Sequence, residues 1–231
     1  LGAGPTRHAA RSEAKPSEVQ VYQALGWLLS YPERDWLESL PELETAIAAE
    51  GRLEPGRCAA LLTLTRELRE RPLLELQERY VSLFDRSTSL SLHLFEHVHG
   101  ESRARGAAMA QLAELYARAE LCVEVPELPD YLPLVCEFLA AAPPAQGQTL
   151  LADAAEVLAR LEKRLAQRGS AYAAVLGALC ALAGAASEAL DEKPRAEREP
   201  NPFVAADREW TEEEVVFGPG APSSAPAEVI P

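Results

Sequence analysis

The chain has 231 residues, 48% of them hydrophobic, with 22 Lys and Arg against 36 Asp and Glu, a formal charge of −14. That length can bury a substantial core, and that charge repels phosphate backbones and anionic lipid heads, which excludes nucleic acid as an expected partner. The four cysteines, Cys58, Cys122, Cys136 and Cys180, are scattered without a CxxC pair, so they read as thiols of a reducing compartment, and a cytoplasmic location is expected.

Residues 1–15 carry positive charge with no apolar run behind it, and read as a flexible leader that fails as a secretory signal. From there to residue 190 nearly every periodic segment has the helical period, so the expected fold is an all-α, single-domain bundle. Ser17 caps a predicted helix to Tyr31, with Val21, Tyr22, Leu25, Leu28 and Leu29 as its stripe. Pro32 stops it and opens a helix over 33–50 that breaks or kinks at Pro41. Gly51 and Pro55–Gly56 separate this from a helix over 57–70, and Pro72 opens another over 73–84 that ends in the polar run 85–89. A helix from about Glu101 to Glu120 turns Met109, Leu112, Leu115 and Tyr116 inward, and residues 122–128 read as a connector. Pro129 starts a helix through Ala142, and Pro143–Pro144 break it. Residues 145–167 are the cleanest amphipathic pattern, with Leu150, Leu151, Ala154, Leu158, Leu161 and Leu165 opposed by Glu156, Arg160, Lys163 and Arg164.

Residues 169–187 run uncharged, but Ala and Gly dominate and the larger side chains recur at helical spacing. A close-packed core helix is therefore expected, with no insertion into a membrane. From 191 to 231 the chain holds seven of its eighteen prolines and ten acids against four bases, and reads as a disordered, acidic tail. Within it DREWTEEEVVF (Asp207–Phe217) joins five acids to Trp210, Val215, Val216 and Phe217, a composition suited to docking on an apolar or basic surface.

LSLHLFEHVHGESRAR (Leu90–Arg105) holds three of the four histidines. On a helix, His93 and His97 would stand at i and i+4 beside Glu96, a spacing able to offer ligands to one metal ion, and a metal-dependent hydrolase is the reading this would support. The order H-L-F-E-H departs from the H-E-x-x-H of zinc proteases, and no local cysteine pair or further histidine completes a site. At 100° per residue the three polar groups oppose Leu94, Phe95 and Val98, which is the polar face of a short amphipathic helix. No phosphate loop, nucleophile elbow or dinucleotide fingerprint occurs, so no catalytic residue, cofactor or metal is expected.

The segments YVSLFDRSTSLSLHLFEHVHGESRARGAAM (Tyr80–Met109), ELPDYLPLVCEFLA (Glu127–Ala140), REWTEEEVVF (Arg208–Phe217) and YQALGWLLSYPE (Tyr22–Glu33) resemble, in order, the NarJ family of nitrate reductase assembly chaperones. The resemblance implies a TorD-like all-helical fold and no enzymatic activity. It also implies a partner, the apo catalytic (alpha) subunit of respiratory nitrate reductase, held through its N-terminal signal-like peptide while molybdenum cofactor is inserted. A different molybdoenzyme is the alternative client. Where NarJ-like sequences commonly read L-P-D-H, this chain has Leu128-Pro129-Asp130-Tyr131, and Tyr still offers one hydrogen-bonding hydroxyl. The expected client-peptide contacts are Glu96, His97, His99, Glu101, Arg103, Pro129, Asp130 and Tyr131, with Glu96, Glu101 and Asp130 meeting peptide cations. An acidic helix bundle suits this independently, since it attracts a cationic peptide and offers grooves to an amphipathic one.

Overall fold

A computed structural model describes residues 16–99, 103–121 and 127–191. The expected leader (1–15), the connector core and the tail from 192 onward lie outside the described residues. Among the described residues the regular elements are helical: α1 (Pro16–Leu28), α2 (Arg34–Glu38), α3 (Leu40–Ala49), α4 (Pro55–Glu70), α5 (Leu73–Tyr80), α6 (Arg103–Arg118), α7 (Leu132–Ala141), α8 (Pro144–Gln167) and α9 (Ala173–Asp191).

Prolines punctuate them as their chemistry dictates. Pro41, Pro55, Pro133 and Pro144 occupy first-turn positions, where the missing N–H has no intrahelical partner to lose. The expected helix over 33–50 is two helices, α2 and α3, which share Ser39 as boundary. The helix expected over 73–84 is α-helical only to Tyr80, and Val81–Asp85 continue it as a π-helical turn that keeps Phe84 buried. Pro129 and Asp130 are not helical; they form the turn before α7, which begins at Leu132.

The core is continuous. The predicted stripe of α8 is buried as a set and packs along α9, whose Val175, Leu176, Leu179 and Leu182 are buried in turn. No helix among the described residues is long and apolar enough to cross a membrane. Truncating one of these leucines to Ala costs about 2–5 kcal/mol, because the lost transfer energy is joined by a cavity. Gly169, at φ +64°, reverses the chain between α8 and α9: its N–H bonds Ala166 O at 2.9 Å and that of Ser170 bonds Leu165 O at 3.0 Å. Glu120 does the same after α6 at φ 57°, with Leu121 N–H on Tyr116 O at 3.0 Å, although it is not glycine. On the other side α1 lies against α7 so closely that a Cβ on Gly26 would stand 2.9 Å from Cys136 Cβ and 3.2 Å from Pro133 O.

Candidate functional site

The histidine stretch is not an α-helix. Ser91 and Leu92 are non-helical, His93 is extended and pairs across an isolated antiparallel bridge with Tyr131, and only Leu94–His97 form a turn of 3₁₀ helix. The i, i+4 geometry that would set His93 and His97 on one metal ion is therefore absent. Among the described residues no three His, Cys, Asp or Glu side chains are grouped to hold a metal. The cause is nonlocal: the turn before α7 competes for this backbone. Leu94 N–H bonds Asp130 O at 3.0 Å and Leu132 N–H bonds Leu92 O at 2.9 Å, which draws residues 92–94 out of helical conformation.

Asp130 is the centre of the corner. Its side chain is fully buried, and its oxygens accept from Phe95 N–H at 3.1 Å and from His93 Nδ1 at 3.2 Å. Arg105, reaching in from α6, stands 3.7 Å from the same carboxylate and 3.3 Å from Glu96. A buried anion is tolerable only with such partners, since its desolvation must be offset by charge-assisted hydrogen bonds. The pairing acts on His93, where the Asp130 hydrogen bond raises the imidazole pKa against the opposing effect of burial. His97 goes the other way: burial lowers it, and Arg164 and Arg160 lower it further. Its Nε2 lies 2.8 Å from Ser91 O, which can only accept, so Nε2 carries the hydrogen.

Two tyrosines brace the second arm. Tyr80 donates to Leu29 O at 2.8 Å, and its hydroxyl is 2.9 Å from that of Tyr131. Tyr80 has committed its proton to a carbonyl, so Tyr131 donates to Tyr80. Burial raises both phenols, Tyr131 to about 12. Tyr116, stacked near Phe138, donates to Pro129 O at 2.7 Å and fixes the turn from below.

Of the residues expected to touch a client peptide, Glu96, His97, Pro129, Asp130 and Tyr131 come together here, with His99 buried behind them against Phe95. Glu101 and the side chain of Arg103 lie outside what is described. Direct contact between Asp130 and peptide cations is not what this arrangement provides: the carboxylate is enclosed and spends its lone pairs on the corner itself. Arg105 and Tyr80 were missed from the sequence, although both lie in the Tyr80–Met109 string. Their roles depend on Asp130 and Tyr131, which follow only after a further helix. Val98 and Leu128 are exposed, one on each arm, Val98 two residues after half-buried Glu96 and Leu128 next in sequence to exposed Glu127. The corner offers acidic and apolar surface, and the Asp130 carboxylate at its centre is already engaged by Phe95 and His93.

The profile of the nitrate reductase delta subunit family matches residues 50–178. The chain is 41% identical over 192 residues to the nitrate reductase molybdenum cofactor assembly chaperone NarJ of Escherichia coli K12, covering 82% of this chain and 81% of that protein. It is 37% identical over 201 residues to the probable nitrate reductase molybdenum cofactor assembly chaperone NarW of the same strain, covering 86% and 84%. In fold it is similar to a candidate redox enzyme maturation protein from Archaeoglobus fulgidus, with a TM-score of 0.51 at 22% identity over 75% of this chain and 97% of that one.

Proposed function

Because the chain belongs to the nitrate reductase delta subunit family, we propose that it is an assembly chaperone that binds the apo catalytic subunit of respiratory nitrate reductase through that subunit's N-terminal peptide. Bound in this way, the subunit stays open to insertion of its molybdenum cofactor. The relatives are named as assembly chaperones, and this chain shares that non-catalytic role.

The observation that carries the peptide reading is that each arm of the corner exposes an apolar side chain close in sequence to an acid, Val98 after Glu96 and Leu128 after Glu127. An amphipathic helical peptide with cations along one edge finds apolar contact and counter-charge there together. Glu96 takes the cations, the edges of Pro129 and Tyr131 and the His97 ring line the contact, and Asp130 and His99 hold the wall in place. Titration calorimetry of the full chain with the N-terminal peptide of a nitrate reductase catalytic subunit tests this. V98S/L128S is expected to weaken binding about tenfold while leaving the fold intact, as loss of part of two apolar contacts requires. Unchanged affinity in both V98S/L128S and E96Q would remove the corner as the site. Equal affinity for N-terminal peptides of other molybdoenzymes would instead move the reading to a different client.

A further inference from the structure

Helix α8 carries a cationic face that the described fold leaves without counter-charge. Arg160 and Arg164, with Arg168 at the C-cap, recur every four residues and form one column along its second half, bordered by Lys163. The column abuts the loop after the π-helical turn: Arg164 Nη1 donates to Ser89 O at 2.7 Å and Arg168 Nη2 to Ser87 Oγ at 3.2 Å. Arg86 precedes that loop and is exposed. Among the described residues none of these five cations has a carboxylate within ion-pair distance, Glu156 one turn before Arg160 included. Arg52, Arg57, Arg69, Arg71, Arg79 and Arg105 all have one, and Arg34 on α2 and Arg66 on α4, which lack one, are each the single such cation on its helix.

The chain itself holds a segment of matching charge. Asp207–Phe217 has five acids against Arg208, and Trp210 adds a ring whose face attracts a guanidinium. We propose that residues 207–217 dock on the α8 column, setting their carboxylates against Arg160, Lys163, Arg164 and Arg168. The reach is sufficient. Helices α8 and α9 run antiparallel with Gly177 against Glu162, so Asp191 is level with about residue 148 of α8. That leaves about 24 Å along the axis to Arg164 at 1.5 Å per residue. Residues 192–206 extend to about 50 Å. Single exposed ion pairs are weak, but several act together here, and a short tether holds the segment at an effective concentration of about millimolar. The docked segment borders the corner at His97, whose imidazole already feels Arg160 and Arg164.

A carbodiimide, which joins a carboxylate to an amine only at contact, tests this on the full chain at low micromolar concentration and low salt. The expected product is a cross-link within the monomer from Lys163 to Glu212, Glu213 or Glu214, mapped by mass spectrometry and lost at 1 M salt. Its yield should fall about tenfold in R160E/R168E, as several modest surface contacts reversed together imply. When E212K and E213K are added to that variant, linkage between the segment and α8 should recover with the partners exchanged, the amines introduced at 212 and 213 joining the carboxylates introduced at 160 and 168. Both arginines are exposed, and an unchanged circular dichroism spectrum will show that the bundle is intact. Absence of the link in the wild-type chain, a link confined to dimers, or a yield unmoved by R160E/R168E would overturn the proposal.

Discussion

Replacing Asp130 with Ala should be among the most damaging single changes in the protein, and its cost can be worked from the corner. The substitution strips the acceptor from the Phe95 N–H, a buried donor, which costs about 1–3 kcal/mol. It also leaves His93 without its carboxylate partner and Arg105 with Glu96 alone, and breaking a buried charge pair from one side costs about 3–5 kcal/mol. Both side chains retain some solvent access, at 25% and 19% exposure, and Arg105 keeps Glu96, so the total is expected near the lower figure, about 3–5 kcal/mol, or a fall in Tm of ~10 °C for a domain of this size. Asp130→Asn keeps an oxygen for Phe95 N–H and sheds only the charge, so it should cost about 1–2 kcal/mol. Urea unfolding followed by far-ultraviolet circular dichroism, compared at constant slope, measures both. If Asp130→Ala unfolds within ~0.5 kcal/mol of wild type, the range of a neutral surface change, the carboxylate does not organise the corner and the reasoning fails.

The same pair makes stability depend on pH. His93 has a raised folded-state pKa, so its contribution is complete below the unfolded value of about 6.5 and is lost as pH rises through the folded one. His97 has a lowered one, so its contribution is present above about 6.5 and is lost as pH falls. Unfolding free energies between pH 5 and 8 should therefore flatten on the alkaline side in His93→Asn and on the acid side in His97→Asn, and identical profiles would refute both assignments. Tyr80→Phe, which removes the bond to Leu29 O and the acceptor for Tyr131, should cost about 2 kcal/mol in chemical denaturation, whereas Tyr131→Phe should cost about 1. Gly26→Ala should destabilise by about 1–3 kcal/mol despite better helix propensity, because Cys136 Cβ at 2.9 Å forces α1 from α7; a gain in Tm would contradict that packing. Glu120→Gly, at a left-handed residue, should raise stability by about 1 kcal/mol.

The helices were legible wherever local chemistry decides them. Pro41 and Pro143–Pro144, read as breaks, and the stripe of α8 act within a turn or two of themselves, and a window of sequence contains all the relevant partners; Pro129, read as a helix start, lies in the turn before α7, where Pro133 takes the first-turn position instead. The corner was legible only in composition. Placing the residues on a regular helix put Leu94 and Phe95 inward with His93, Glu96 and His97 outward, and the burial follows that division even though the backbone does not. Val98 breaks it: expected inward, it is exposed, because the 3₁₀ turn ends at His97. The missing information sits on Asp130, whose carbonyl and carboxylate claim the amides of Leu94 and Phe95 from 36 and 35 positions away. No periodicity carries that distance. The π-helical turn at Val81–Asp85 was likewise unreadable, since it preserves the burial of Phe84 that an α-helix would also give.

The bridge between His93 and Tyr131 gives the corner a place in time as well as in space. In a bundle most pairings join neighbours in sequence and form early, but this one closes a loop of nearly forty residues, at an entropic cost of about 3 kcal/mol. It should be among the last contacts made and the first to open, so the amides of Leu94 and Leu132, whose bonds constitute the bridge, would exchange with solvent well before those of α8. Such a late-forming clasp can loosen the corner without melting the core. Under the proposed function, slowed exchange at those two amides would record the arrival of a client.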